Sequence, residues 1–112
     1  MKEGIIMKTN KKEKAILKER GWEYAPYEDE TFGKVERYTF DVDGYEWSLS
    51  KGRELAGELI DAYKNGSRIC IMTPCNYMAK WVLENTNDGG IWLCPKIEDA
   101  FNYFDEEVHY EH

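Results

Sequence analysis

The sequence is short of the features that usually announce chemistry. Cysteine is scarce: Cys70, Cys75 and Cys94 are odd in number, and no Cys-x-x-Cys pair occurs among them. That spacing excludes a disulfide framework or a zinc knuckle, and a reduced, cytoplasmic protein is expected. Histidine is scarcer still, with only His109 and His112. There is no Gly-x-Gly-x-x-Gly and no Gly-Lys-Ser/Thr, and Gly89-Gly90 precedes a strand pattern instead of opening a helix. Nucleotide-driven chemistry is therefore not expected, nor is a resident cofactor. No apolar run approaches the length of a membrane span, and the opening Met1–Lys8 is too short in apolar residues for a secretory signal. Residues 1–8 read as a loose extension, with Met7-Lys8 an alternative start.

Hydrophobic residues make up 42% of the 112 positions and aromatics 14%, which is enough for one packed core and too little chain for two. One domain, 1–112, is expected. Its charge is divided. Residues 1–20 hold seven Lys/Arg against three Asp/Glu, while the rest of the chain holds eight against nineteen, for a net charge of -7. A basic first helix on a strongly acidic body follows.

The clearest element is a hairpin. Residues 36–42 alternate, with Tyr38, Phe40 and Val42 on one face, and Asp43-Gly44 is a two-residue type I′ turn signal. Tyr45, Trp47 and Leu49 return over 45–49. A two-residue turn pairs Val42 with Tyr45, Phe40 with Trp47 and Tyr38 with Leu49, so turn chemistry and apolar pattern agree on one register. Two more strands are read at 68–72 and 90–94, adjacent and parallel. The run Ile69-Cys70-Ile71-Met72 suggests burial on both faces. Helices are read at Lys11–Arg20, capped by Thr9 or Asn10; at Lys51–Lys64, capped by Ser50; after Thr73-Pro74, with Tyr77, Met78, Trp81 and Val82 inward; and from Ile97, with Ala100, Phe101 and Phe104. Glu28-Asp29-Glu30-Thr31-Phe32-Gly33 reads as a polar loop and 105–112 as a frayed acidic tail. The fold class expected is α+β: a small mixed sheet with about four helices packed mainly on one face.

Cys75, placed at a helix N-terminus, is the only candidate nucleophile, because the dipole there stabilises a thiolate. Its base would have to be His109 or His112, and no oxyanion-hole glycines precede it, so no catalytic site is assigned. His109-x-x-His112 is a generic weak metal motif, and Asp41-Val42-Asp43-Gly44 lacks the later ligands of a calcium loop, so no metal is assigned either. Lys8, Lys11, Lys12, Lys14, Lys18 and Arg20 cluster, but Glu13 and Glu19 interrupt them and the remaining chain is acidic. Direct nucleic-acid binding is not expected.

The acidic layout is the informative feature. Asp41 should stand across from Glu46, with Glu28, Asp29, Glu30, Glu36 and Asp43 nearby. Glu98, Asp99, Asp105, Glu106 and Glu107 follow toward the carboxyl end. Carboxylates along strands and helix ends can imitate a phosphate backbone and occupy a basic channel. The expectation is a non-enzymatic, acidic protein-binding inhibitor, phage or mobile-element encoded, of the anti-CRISPR or anti-restriction type. Its partner would be a nuclease or CRISPR effector with a basic surface. The alternative is an interaction module that homodimerises through exposed aromatics, and a third reading is a small cysteine enzyme using Cys75. No membrane partner is expected.

Overall fold

The computed structural model describes residues 8–111. It is an α+β fold with a seven-stranded, mostly antiparallel sheet and three helices among the described residues. The elements are α1 (Lys11–Glu19), β1 (Glu23–Tyr24), β2 (Tyr27–Asp29), β3 (Gly33–Val42), β4 (Tyr45–Lys51), α2 (Arg53–Lys64), β5 (Cys70–Ile71), β6 (Trp81–Asn85), β7 (Gly90–Cys94) and α3 (Ile97–Glu111). The sheet runs β1-β3-β4-β6-β7-β5, with β2 also paired to β3.

The hairpin has the expected register: Val42↔Tyr45, Phe40↔Trp47 and Tyr38↔Leu49. Asp43 (φ 52) and Gly44 (φ 88) both take the left-handed conformation that a type I′ turn demands. Both strands are longer than the apolar alternation suggested. β4 continues through Ser50 and Lys51, so the expected Ser50 cap is displaced and Gly52 takes the N-cap of α2. At α1, Asn10 closes a capping box with Glu13.

The sheet has two faces, and alternation assigns each residue to one. Tyr38, Trp47, Leu49, Trp81, Leu83, Trp92 and Cys94 face α1 and α3 and form the larger core with Leu17, Trp22, Phe101 and Phe104. Phe104 packs edge-on against Trp22 and Trp47, at centroid distances of 5.1 Å and 5.1 Å. Val82, Ile91 and Leu93 face the opposite way and form a smaller core with Ala56 and Ile60 of α2. The helices therefore occupy both faces, two on one and one on the other, where packing mainly on one face was expected.

The fourth helix, expected after Thr73-Pro74, does not exist. Residues 73–80 are irregular, and Trp81-Val82-Leu83 belongs to β6. Tyr77, Met78, Trp81 and Val82 share a helical spacing, but the strand sends Trp81 and Val82 into opposite cores. The strand expected at 68–72 is only Cys70–Ile71, parallel to β7 as anticipated but at the sheet edge with Cys70 exposed, not buried on both faces. The polar stretch 28–33 is partly strand, because Tyr27–Asp29 pairs with β3. The last helix continues through Glu111, so most of the expected frayed tail is helical. Of the expected loose extension, 1–7 lie outside the described residues, and Lys8 is tied down: its carbonyl accepts from Lys51 Nζ at 3.1 Å.

Candidate functional site

The hairpin places Asp41 directly across from Glu46. The pair beside a two-residue turn is hydrogen-bonded, so the next pair is of the kind whose side chains approach most closely. Two exposed carboxylates occupy it. Phe40, Val42 and Trp47 point to the larger core, so Asp41 and Glu46 point to the other face. The smaller core on that face draws on α2, β6, β7 and the 69–79 segment. Above β3 and β4 the same face carries short polar residues instead: Thr39 beside Ser48, and Ser48 beside Glu84. Glu23 on β1 pairs with Thr39 and adds an exposed carboxylate.

Glu84 is the residue the sequence reading missed. It lies between Leu83 and Asn85 on β6, in a run whose apolar character hides its alternation. Burial raises its carboxyl above the ordinary range, and the charge of Arg37 only partly opposes this. Arg37 is itself committed: Nε donates to the Ala25 carbonyl at 2.8 Å, and its guanidinium lies 4.9 Å over the Tyr27 ring. The Tyr27 hydroxyl is held above its usual value, chiefly by burial. The open part of this face thus presents Glu23, Asp41, Glu46 and Glu84, with Arg37 turned into the Tyr27 contact.

The remaining acidic candidates divide. Asp43 is in the hairpin turn, at the edge of this face. Glu28 and Glu30 are exposed beyond β3, with Glu28 across from Lys34. Asp29 closes the turn, accepting from Thr31 N at 2.8 Å and Phe32 N at 3.1 Å. Glu36 is not a surface carboxylate at all. It points to the α1 side and is buried, accepting from Thr9 Oγ1 at 2.8 Å and from the Tyr24 hydroxyl at 2.6 Å. Burial pushes its carboxyl up, but these hydrogen bonds, with Lys34 nearby, bring it below the ordinary range. Glu98, Asp99, Asp105, Glu106 and Glu107 all lie on α3, across the sheet from Asp41 and Glu46. Asp105 is neutralised by a two-pronged contact with Arg20 at 3.0 and 3.1 Å, and Asp99 accepts from Lys96 N. The sheet separates the expected single patch into two.

Cys75 has lost the feature that suggested reactivity, because no helix starts there; its side chain packs against the α2 core. The side chain of His109, and His112 entirely, lie outside the described residues. Among the described residues no three His, Cys, Asp or Glu side chains are grouped to share a metal ion, and no helix is long and apolar enough to cross a membrane. A cavity of about 200 Å³ opens at the far end of the sheet from the hairpin turn, bordered by Lys12, Lys80, Lys96, Glu13 and Glu98. No protein-family model, curated protein or solved structure matches the chain.

Proposed function

We propose that this protein is a binding inhibitor that presents the acidic sheet face to a basic partner surface, with Asp41 and Glu46 at its centre. The observation that supports this is the like-charge pair itself. Two carboxylates at the closest cross-strand pairing cost a few tenths to about 1 kcal/mol. Nothing in packing requires them there, since their backbone pairing would serve any exposed side chains equally. Glu23 and Glu84 extend the same sign over β1 and β6. A partner cation placed between them recovers the repulsion and gains attraction in one step.

The partner is a nucleic-acid enzyme whose cationic channel the carboxylates fill in place of phosphates. A host defence nuclease or CRISPR effector is the kind of partner meant, and a phage or mobile-element origin suits that role. The α3 carboxylates are not part of this surface.

A pull-down from host lysate, followed by binding of the captured enzyme, tests the proposal. Binding should compete with DNA or RNA and disappear at roughly 0.5 M salt, where screening reaches only a few ångströms. The D41K/E46K variant keeps a like-charge pair and so keeps its stability, but reverses the sign. It should lose the partner completely. Full binding by D41K/E46K, or binding indifferent to salt, defeats the reading. Salt-insensitive self-association would favour dimerisation through the exposed Tyr24, Tyr45, Tyr63 and Tyr77 instead.

A further inference from the structure

Ser48 sits in the middle of the sheet face that carries the acidic pair. It stands across from Thr39 on β3 and Glu84 on β6, with Glu46 and Ser50 two positions away along its own strand. The helix on this face, α2, packs with Val82, Ile91 and Leu93, and no residue of β3 or β4 belongs to that cluster. Ser48 is nonetheless only 7% exposed and Ser50 only 6%. The longer side chains beside them enclose them. Thr39, Ser48 and Ser50 thus form the low floor of a trough. Asp41 and Glu46 border it toward the turn, and Glu84 borders it on β6. Glu58 of α2 is close enough for its charge to act on the Tyr27 hydroxyl, which puts a further carboxylate at the margin.

The Ser48 hydroxyl makes no hydrogen bond with another described residue, Thr39 and Glu84 included. Among the described residues no fully enclosed side-chain nitrogen or oxygen lacks a partner, so this hydroxyl is the part of Ser48 that opens onto the trough. A nearly buried hydroxyl without a partner leaves a hydrogen bond for a guest to make. Packing does not explain a serine here, because a central strand favours Val, Ile or Thr.

The spacing selects the guest. Side chains directly across neighbouring strands stand about 5 Å apart, and diagonal ones about 7–8 Å. The carboxylates accordingly do not converge, and no three of them are grouped to share one ion. A metal ion or a lysine ammonium is a point charge and meets only part of the set. A guanidinium is planar, weakly hydrated and carries five N–H donors spread over a rigid fork. It lies flat on short side chains and bonds to acceptors on opposite sides at once. Arg37 does not fill the trough, since its guanidinium is drawn over the Tyr27 ring and its Nε donates to the Ala25 carbonyl.

We propose that this trough is an arginine site: the guanidinium of one arginine of a protein partner lies over Ser48, donating to its hydroxyl and to the carboxylates of Glu46 and Glu84. The site rests on the acidic face being the binding surface, and it names the partner group which that face reads. The guest charge also offsets the burial of Glu84, whose ionised form the fold alone disfavours.

Fluorescence anisotropy of labelled hexa-arginine and hexa-lysine peptides with the full chain, at about 150 mM salt, tests this. Hexa-arginine should bind roughly tenfold more tightly. Ser48→Val fills the floor and removes the hydroxyl, so it should erase that preference and leave hexa-lysine binding as it was. E84Q relieves a buried charge and keeps the fold. It should weaken hexa-arginine more than hexa-lysine, and it carries the test if circular dichroism shows Ser48→Val unfolded. Equal binding of the two peptides overturns the arginine site, as does a preference untouched by E84Q or by a folded Ser48→Val. D41K/E46K separates this site from the face it rests on. If that variant loses both peptides while the unmodified chain binds them equally, the acidic face stands and the arginine site fails. If it binds both as well as the unmodified chain does, the acidic face fails and the arginine site with it.

Discussion

Single residues carry opposite electrostatic assignments in this protein. Glu36 is held ionised by donors, so its stabilising share is present in neutral solution and is lost as pH falls through its lowered value. Glu84 behaves the other way. Its folded value lies above its unfolded one, so the folded state holds the proton more tightly. The penalty for ionising it is absent at acid pH and complete at neutral pH. E84Q should therefore raise Tm at pH 7, with the gain shrinking to nothing by about pH 3.5, where the carboxyl is protonated in both states. Thermal melts across that range check it, and a constant gain would mean that charge is not the cause. The cysteines separate just as sharply. Cys70 should react with iodoacetamide in the native protein, while Cys94, buried and raised to about 12, should react only after unfolding, as read by mass spectrometry.

The elements differ in how openly the sequence shows them. The hairpin was legible because three independent signals coincide: Asp-Gly, strict alternation and matched apolar partners. β6 was not. Trp81-Val82-Leu83 is buried on both faces, so it has no alternation, and with Tyr77 and Met78 upstream it mimics a helical stripe. Periodicity cannot separate these two cases, and Pro74 supplied a false helix start. The polar latch on α1 was invisible for another reason, since it joins residues far apart in sequence. Glu36 and Lys51 are cross-strand partners, yet each turns to the N-terminal segment: Glu36 to Thr9, and Lys51 to Glu13 at 2.6 Å. Lys51 is nearly enclosed, with its ammonium 5.4 Å over the Trp81 ring. K51M leaves Glu13 and the Lys8 carbonyl without that partner and should cost about 3 kcal/mol, seen as a lower urea midpoint with an unchanged slope. A loss below about 0.5 kcal/mol would show that solvent replaces the lysine freely.

At the scale of the whole molecule, the sequence disclosed the amount of charge but not its direction. Counting carboxylates could not reveal that the sheet stands between the α3 group and the Asp41–Glu46 group, because that depends on which face each strand residue takes. The fold also places the basic elements away from the acidic pair. Lys12, Lys80 and Lys96 border the cavity at the strand ends remote from the hairpin turn. Along a molecule with extents of 43 × 34 × 22 Å, this separation matters through the screening length. At 10 mM salt that length is about 30 Å, so a partner feels the net charge of -7; at 150 mM it is about 8 Å, and only the nearest carboxylates act. Acidic-face binding therefore predicts an association rate that falls at least tenfold between these conditions, with a much smaller change in dissociation rate. Stopped-flow or surface-plasmon kinetics on the captured enzyme measure both. D41N/E46Q should flatten the salt dependence of association, whereas neutralising Glu106 on α3 should leave the local effect at 150 mM intact. If the Glu106 change matters as much as the hairpin changes, the partner reads total charge, and the sheet face has no special role.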